Sequence, residues 1–158
     1  MATIKSLTGA GWLKDADDNF QSLKSLAGLH ITPFVFDTAA NDATSPTPVS
    51  NKTVAAHPLA VTIPDNAIVL GGHLDVITAV TSATKNSTVA IHLANPDDVL
   101  TTTEGAEANL TLAAQIPMAA LKAAPIKLAA AKPVTVTVGT AALTAGKING
   151  YIIWMEGE

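Results

Sequence analysis

The stretch between Trp12 and Gly28 repeats its apolar residues at the spacing of an amphipathic helix. Placing each residue about 100° from the last gathers the apolar side chains on one arc of roughly 140°. The residues on that arc are Trp12, Leu13, Ala16, Phe20, Leu23, Leu26 and Ala27. Lys24 lies near the end of the stretch, where the helix dipole favours a positive charge. Gly28 follows Ala27, where a glycine commonly caps the C-terminus of a helix. The pattern predicts a surface helix whose apolar stripe packs on a neighbour.

Beyond Gly28 the apolar spacing becomes that of short β-strands. The predicted strands are His30–Phe36, Val54–Ile63, Ile68–Val80, Thr88–Ala94, Asn109–Ile116, Ile126–Ala129, Val134–Val138 and Ile148–Met155. Turn-forming residues separate several of them, at positions 64–66, 82–87, 95–98 and 144–147. Short strands at this spacing predict a mainly β protein, a jelly-roll-like antiparallel β-sandwich with an N-terminal amphipathic helix or arm. We expect residues 1–53 to form the helix and an extended arm, and residues 54–158 to form the sandwich.

Glycine and proline modify two parts of this pattern. The pair Gly71–Gly72 predicts a bulge or bend that splits the apolar run of 68–80 into two strands. The alanine-rich region 100–131 favours helix by composition, but Pro117 and Pro125 leave no room for a long one. We therefore predict loops with one or two strands in that region.

Two strand patterns indicate which faces are buried. Valines at 134, 136 and 138 alternate with threonines, which predicts a strand with one face in the core and one in water. The closing stretch INGYIIWM is apolar on both faces instead. One face holds Ile148, Ile152 and Trp154, and the other holds Tyr151, Ile153 and Met155. Because a sandwich core covers one face of a strand, the second face must meet the N-terminal helix or a neighbouring subunit.

Composition indicates a subunit of an assembly. The chain has 158 residues, of which 48% are hydrophobic and 14% charged, and its mean hydropathy is +0.34. No apolar run reaches the roughly 18 residues of a membrane-spanning helix, so we expect other subunits to cover the apolar excess. The net charge of −4 argues against a nucleic-acid partner. The absence of Cys excludes disulfides and thiolate metal sites, and the N-terminus shows no secretion signal.

His73 and Asp75 are the candidate pair for acid–base chemistry, because both fall on one face of a predicted strand. No nucleophile with a recognisable setting accompanies them: the chain has no G-x-S-x-G motif and no Cys. We expect a polar pair that faces solvent on a half-buried strand. No catalytic residue is predicted.

The histidines and the Asn95–Asp98 stretch are the candidates for a metal site. His30, His57, His73 and His92 are scattered without the close pairs that a metal site uses. We expect surface or interface histidines, although a three-fold axis could gather copies of one of them around an ion. The stretch NPDD lacks the register of a Ca²⁺ loop. We expect it to cap a turn, and we predict no metal and no cofactor.

Four stretches of the β region resemble a group of small bacteriophage virion proteins, the head decoration or cement proteins and minor structural proteins of the virion. These stretches are IPDNAIVLGGHLDVITAVTSAT, STVAIHL, DDVL and KPVTVTVGTAALTAGKINGYIIW. The shared motifs fall at Pro64–Val69, Asp75–Thr84 and Ala142–Lys147, in the same order, and the resemblance spans about residues 60–155.

The resemblance implies a capsid decoration protein that binds the outside of the phage shell, as a homotrimer at three-fold positions, and stabilises the head. Its partners would be copies of itself and the major capsid protein, with no nucleic acid and no membrane. The expected interface residues are Trp12, Phe20, Leu23, Leu26, Tyr151, Ile153 and Met155. The alternative is a fibre or tail-associated module that binds the host, whose glycan site would need exposed aromatic residues. A hydrolase or isomerase using His73 and Asp75 ranks third.

Overall fold

The computed structural model describes residues 28–42, 49–95, 98–118 and 125–157. Within these ranges the chain forms eight strands. They are β1 (Leu29–Asp37), β2 (Ala56–Ile63), β3 (Ile68–Ser82), β4 (Thr88–His92), β5 (Gln115–Pro117), β6 (Ile126–Lys127), β7 (Lys132–Gly139) and β8 (Leu143–Met155). The helix predicted for Trp12–Ala27 lies outside the described residues. Among the described residues, no helix is long and apolar enough to cross a bilayer.

The strands form two antiparallel sheets. The larger sheet has the order β1-β8-β3-β5, with β6 also paired to β3, and the smaller sheet has the order β2-β7-β4. One set of pairs is nested: the first strand pairs with the last, the second with the seventh, and the third with the fifth and sixth. The remaining pairs, β3 with β8 and β4 with β7, join this set into the two sheets. The segment after β4 returns to β4 through isolated bridges at Leu100 and Ala106. The predicted mainly β, antiparallel sandwich is confirmed.

The core lies between the two sheets and is built by period-two alternation along the strands. The valines at 134, 136 and 138 of β7 are at most 1% exposed, while the threonines between them are half-buried, as predicted. The larger sheet contributes Phe34, Phe36, Leu74, Val76, Ile148 and Ile152. Each such buried side chain contributes about 1.5–3 kcal/mol relative to an exposed one, so this alternation fixes which face of each strand turns inward.

One strand prediction and one turn prediction need correction. Residues 109–114, predicted to begin a strand, form turns that hydrogen-bond β3 through the carbonyls of Leu110 and Ala114. The turn predicted at 144–147 lies inside β8, because Ala145 and Lys147 pair with Thr81 and Thr78 of β3. The hydroxyls of Thr144 and Thr81 add a 2.9 Å hydrogen bond. The chain reverses earlier, at Thr140, whose φ is 65°.

The Gly71–Gly72 pair produces a bulge without dividing the strand. The register between β3 and β8 shifts between Val69 and Gly71, yet β3 continues to Ser82. A Cβ on Gly72 would lie 2.1 Å from the backbone oxygen of Tyr151. Glycine at this position therefore allows β8 to approach β3 closely.

Candidate interaction surface

The side of the larger sheet that faces away from the core carries five of the residues singled out by the sequence: His73, Asp75, Tyr151, Ile153 and Met155. We call it the outer face. It comprises Leu29, Ile31, Pro33 and Val35 of β1, Tyr151, Ile153, Met155 and Asn149 of β8, Ile68, His73 and Asp75 of β3, and Gln115 and Pro117 of β5. Alternation places these residues opposite the buried ones on each strand. The two-sided apolar pattern predicted for residues 148–155 is confirmed.

Register aligns the outer face into rows that cross the strands. Leu29 lies opposite Met155, which lies opposite Ile68. The next row joins Ile31 to Ile153. Directly opposed side chains on one face of a sheet are in contact range, so these residues form a continuous apolar area at the end of the sheet where β1 begins.

The opposite end of the outer face is polar. Val35 lies opposite Asn149 and Asp37 opposite Lys147, and the Lys147 ammonium lies 3.1 Å from the Asp37 carboxylate. The backbone N–H of Ala39 and then Lys147 lower the pKa of Asp37, while burial opposes them. The outer face therefore changes from apolar to charged along the length of β1.

A shallow cleft of about 240 Å³ lies between these two ends. Its lining residues are Pro33, His73, Asp75, Asn149, Gly150 and Tyr151. The Tyr151 side chain is 39% exposed, and its ring lies 6.0 Å from that of His73. The cleft thus combines an accessible aromatic ring with amide, imidazole and carboxylate groups.

His73 and Asp75 share the outer face, as predicted, but they do not bond each other. The side chain of Gln115 joins them, because its carbonyl oxygen accepts from His73 Nε2 and its Nε2 donates to Asp75 Oδ1. The His73 imidazole and the Asp75 carboxylate are therefore both hydrogen-bonded to the same neutral amide, that of Gln115. No Ser, Thr or Cys lines the cleft.

Asp98 performs the turn capping expected of the NPDD stretch. Its carboxylate accepts hydrogen bonds from the backbone N–H groups of Leu93, Ala94 and Asn95, at 2.9, 2.8 and 2.8 Å. Asp97 lies outside the described residues. Across the described part of the chain, no group of three or more metal-ligating side chains occurs.

His57 departs from the expected surface position of the histidines. It is 0% exposed, and its Nε2–H donates to the carbonyl oxygen of Thr53 at 2.9 Å. Its Nδ1 lies 4.0 Å from the buried carboxylate of Asp42 and has no hydrogen-bond partner within the described structure. His57 lies on the same face of β2 as the buried Leu59 and Ile63, so alternation along that strand is the signal that could have found this burial.

Glu107 is the main polar residue that sequence reasoning missed. Its carboxylate accepts from the hydroxyls of Ser82 and Ser87, at 2.6 and 2.8 Å, and from both backbone N–H groups. These bonds, led by the Ser82 hydroxyl, lower the pKa of Glu107, while burial opposes them. One carboxylate thus fastens the end of β3 to the start of β4.

Comparison with solved structures identifies the fold. A chain of the cyanophage Pam1 capsid asymmetric unit aligns with a TM-score of 0.56 at 16% identity, over 81% of this chain and 84% of that one. A chain from the acidic stable capsid structure of Helicobacter pylori bacteriophage KHP30 gives 0.52 at 15%, over 82% and 89%. The capsid of Ralstonia phage GP4 gives 0.48 at 15%, over 82% and 86%.

The first two alignments show a shared β-sandwich. No family model matches the sequence, and no curated protein matches it. At such low identity the likeness concerns the fold, because few side chains are shared. The outer-face residues must therefore be interpreted from their own geometry.

The interface residues predicted from the sequence divide into two groups. Tyr151, Ile153 and Met155 lie side by side on the outer face, where Tyr151 is exposed and the other two are half-buried. Trp12, Phe20, Leu23 and Leu26 lie outside the described residues. That these seven side chains form an interface stays a prediction.

Proposed function

We propose that this chain is a structural protein of a bacteriophage capsid, a decoration or cement protein that binds the outside of the shell and stabilises the head. The observation that carries the proposal is the sandwich shared with chains of two phage capsid structures, over more than four fifths of this chain. The nested strand pairing supports the jelly-roll-like form of that sandwich. The segments that resemble cement proteins fall on β3, β4, β7 and β8, which include both central strands of the larger sheet.

A homotrimer at three-fold positions is the assembly we propose. Low charge and exposed apolar side chains away from the core support self-association. Besides the outer face, Val54, Ile77 and Leu112 are 54%, 41% and 68% exposed. A symmetric contact repeats one modest interface at every subunit, so small areas add up over the shell.

A structural role agrees with the chemistry of the cleft. His73 and Asp75 are both hydrogen-bonded to Gln115, and neither Ser, Thr nor Cys lines the cleft. We propose no reaction for this chain.

The deciding experiment adds the purified protein to emptied shells of the phage that encodes it. We expect the protein to co-sediment with the shells and to raise their melting temperature. A matched control is bovine serum albumin at equal concentration, which should do neither. Failure to bind, or binding that leaves the melting temperature unchanged, would contradict the cement role. Ultracentrifugation of the free protein tests the trimer separately.

The cleft at Tyr151 favours a second candidate, a fibre or tail-associated module that binds a host glycan. Sugars stack on exposed aromatic rings and hydrogen-bond to amide and carboxylate groups, and the cleft offers Tyr151 beside Asn149 and Asp75. Adsorption of the labelled protein to host cells, with Tyr151→Ala as the comparison, distinguishes this candidate. Adsorption lost in the variant would favour host binding over decoration.

A further inference from the structure

We propose that Pro33 keeps the open edge of the larger sheet from pairing with a strand of another molecule. Among the described residues, β1 is an edge strand that pairs with β8 alone. An edge strand presents a row of unpaired N–H and C=O groups to any strand that approaches it. The inference concerns this edge and does not rest on attachment to a capsid.

The backbone groups of β1 point alternately to β8 and to the open edge. The N–H of Thr38 donates to the carbonyl oxygen of Gly146 at 3.0 Å, and the register of β1 continues from this pair without a shift. Because hydrogen-bonded and non-hydrogen-bonded pairs alternate in an antiparallel ladder, the even-numbered residues of β1 bond β8. The groups that point to the open edge belong to the odd-numbered residues, Leu29, Ile31, Pro33, Val35 and Asp37.

Pro33 lies in the middle of that edge. Its ring removes the N–H that any other residue would point outwards at this position. Ile31 and Val35, two residues to either side, are 47% and 51% exposed, so the edge is otherwise apolar and accessible. A strand that paired with both of them would keep one carbonyl group without a donor, opposite Pro33. Since the missing N–H faces outwards, Pro33 costs β1 none of its bonds to β8.

The remaining edges of the two sheets are partly covered, short or irregular. Bridges from Leu100 and Ala106 cover part of the outer edge of β4. On the far side of the larger sheet, β5 and β6 have only three and two residues. The register of β2 with β7 shifts between Pro58 and Thr62, and such irregularities discourage regular pairing. Within the described part of the chain, β1 is therefore the long, regular edge, and Pro33 interrupts it.

The position of Pro33 bears on how copies of the chain can associate. Pairing between sheet edges is head-to-tail unless a symmetry axis closes it, and head-to-tail contacts can continue into open filaments. A guarded β1 disfavours such growth. Contacts through exposed side chains stay available, so a closed assembly is still possible.

The variant Pro33→Val restores the missing N–H and keeps an apolar side chain that favours strands. We expect it to form species larger than the wild-type assembly at a roughly tenfold lower protein concentration, because the partner strand no longer keeps an unpaired carbonyl group. Sedimentation velocity of the full chain measures this. Adding Ile31→Lys to Pro33→Val should restore wild-type behaviour, because a charge on the edge discourages pairing.

Thr62→Val is the matched control, since it adds the same side chain at an exposed position of β2 without adding an N–H. It should sediment as the wild type does. Wild-type sedimentation of Pro33→Val would overturn the proposal. Equal association of Pro33→Val and Thr62→Val would also overturn it, by assigning the effect to apolar surface.

Hydrogen exchange of the wild type, followed by NMR, tests the edge without any substitution. We expect the amide protons of Ile31 and Val35 to exchange roughly tenfold or more faster than those of Thr32 and Phe34, which bond β8. Equal protection of all four would show that another segment already pairs with the edge, and would overturn the proposal even if Pro33→Val failed to fold. In associated Pro33→Val, the Ile31 and Val35 amides should become protected, and continued fast exchange there would contradict pairing at β1.

Discussion

The indole N–H of Trp154 donates a 2.8 Å hydrogen bond to the hydroxyl oxygen of Thr32. The two residues are 122 positions apart in the chain, and the bond ties the last strand to the first. The Trp154 ring also stacks on His30, with the ring centres 4.1 Å apart and the planes at 12°. These side-chain contacts reinforce the pairing of β1 with β8, the first and last strands of the chain.

We expect Thr32→Val to destabilise the protein by about 1–2 kcal/mol, because it keeps the shape of the side chain and removes the acceptor of a nearly buried N–H. Trp154 is 8% exposed, so water replaces the lost partner poorly. Chemical denaturation measures the change. The exposed Thr62 of β2 provides the control, since Thr62→Val should change the free energy of unfolding by less than about 0.5 kcal/mol. Equal effects of the two variants would remove the role assigned to this bond.

Glu107 predicts a loss of stability in acid. The serine hydrogen bonds lower its pKa in the folded protein, so its contribution is present above the ordinary glutamate pKa of about 4.3. It is lost as the pH falls through the lower folded-state value. Asp37, whose pKa is also lowered, acts in the same direction.

We expect Glu107→Gln to be less stable than the wild type at pH 7, by about 1 kcal/mol, and to depend less on pH in the acid range. Thermal unfolding between neutral and acid pH measures both effects. Asp65→Asn, at an exposed turn, is the matched control and should follow the wild-type curve. A Glu107→Gln curve parallel to that of the wild type would show that this carboxylate does not couple stability to pH.

The close contact at Gly105 predicts that adding a single methyl group there severely destabilises the fold. A Cβ there would lie 1.7 Å from the carbonyl oxygen of Val89, which belongs to the backbone of β4 and cannot rotate away. We expect Gly105→Ala to cost more than about 2 kcal/mol, as overpacking against fixed atoms does. At Gly139 the nearest atom is the hydroxyl of Thr88, at 2.6 Å, and that side chain can move. Gly139→Ala should therefore be clearly milder when both variants are compared by thermal unfolding.

The hydrogen bonds of Asp98 predict that the folded protein is stable without calcium. Since its carboxylate already accepts three backbone N–H groups, we expect the melting temperature to be the same in EDTA and in millimolar Ca²⁺. Asp98→Ala should cost about 1–2 kcal/mol through the lost cap, and Asp98→Asn should cost less because it keeps one acceptor. A melting temperature that rises with Ca²⁺ in the wild type and not in Asp98→Ala would identify an ion site instead.

The candidate surface was partly predictable because strand alternation depends on local sequence alone. Alternate residues of a strand share a face, so Tyr151, Ile153 and Met155 lie together on β8. The same alternation places His73 and Asp75 on one face of β3. The rows that join them to β1 were not predictable, because register between distant strands depends on which pairing fills the core best. Gln115 bridges His73 and Asp75 from a short strand that the sequence placed inside a longer one.

The sequence by itself determined the β class, most strand positions, the core valines of β7 and the two-sided character of β8, since each follows from residue spacing along one segment. Only the tertiary structure decided that β1 pairs with β8, that residues 144–147 continue a strand, and that Glu107 joins β3 to β4. The physical reason is the same in each case. A hydrogen bond or packing contact between segments far apart in the chain outweighs the turn or surface preference of the residues that make it.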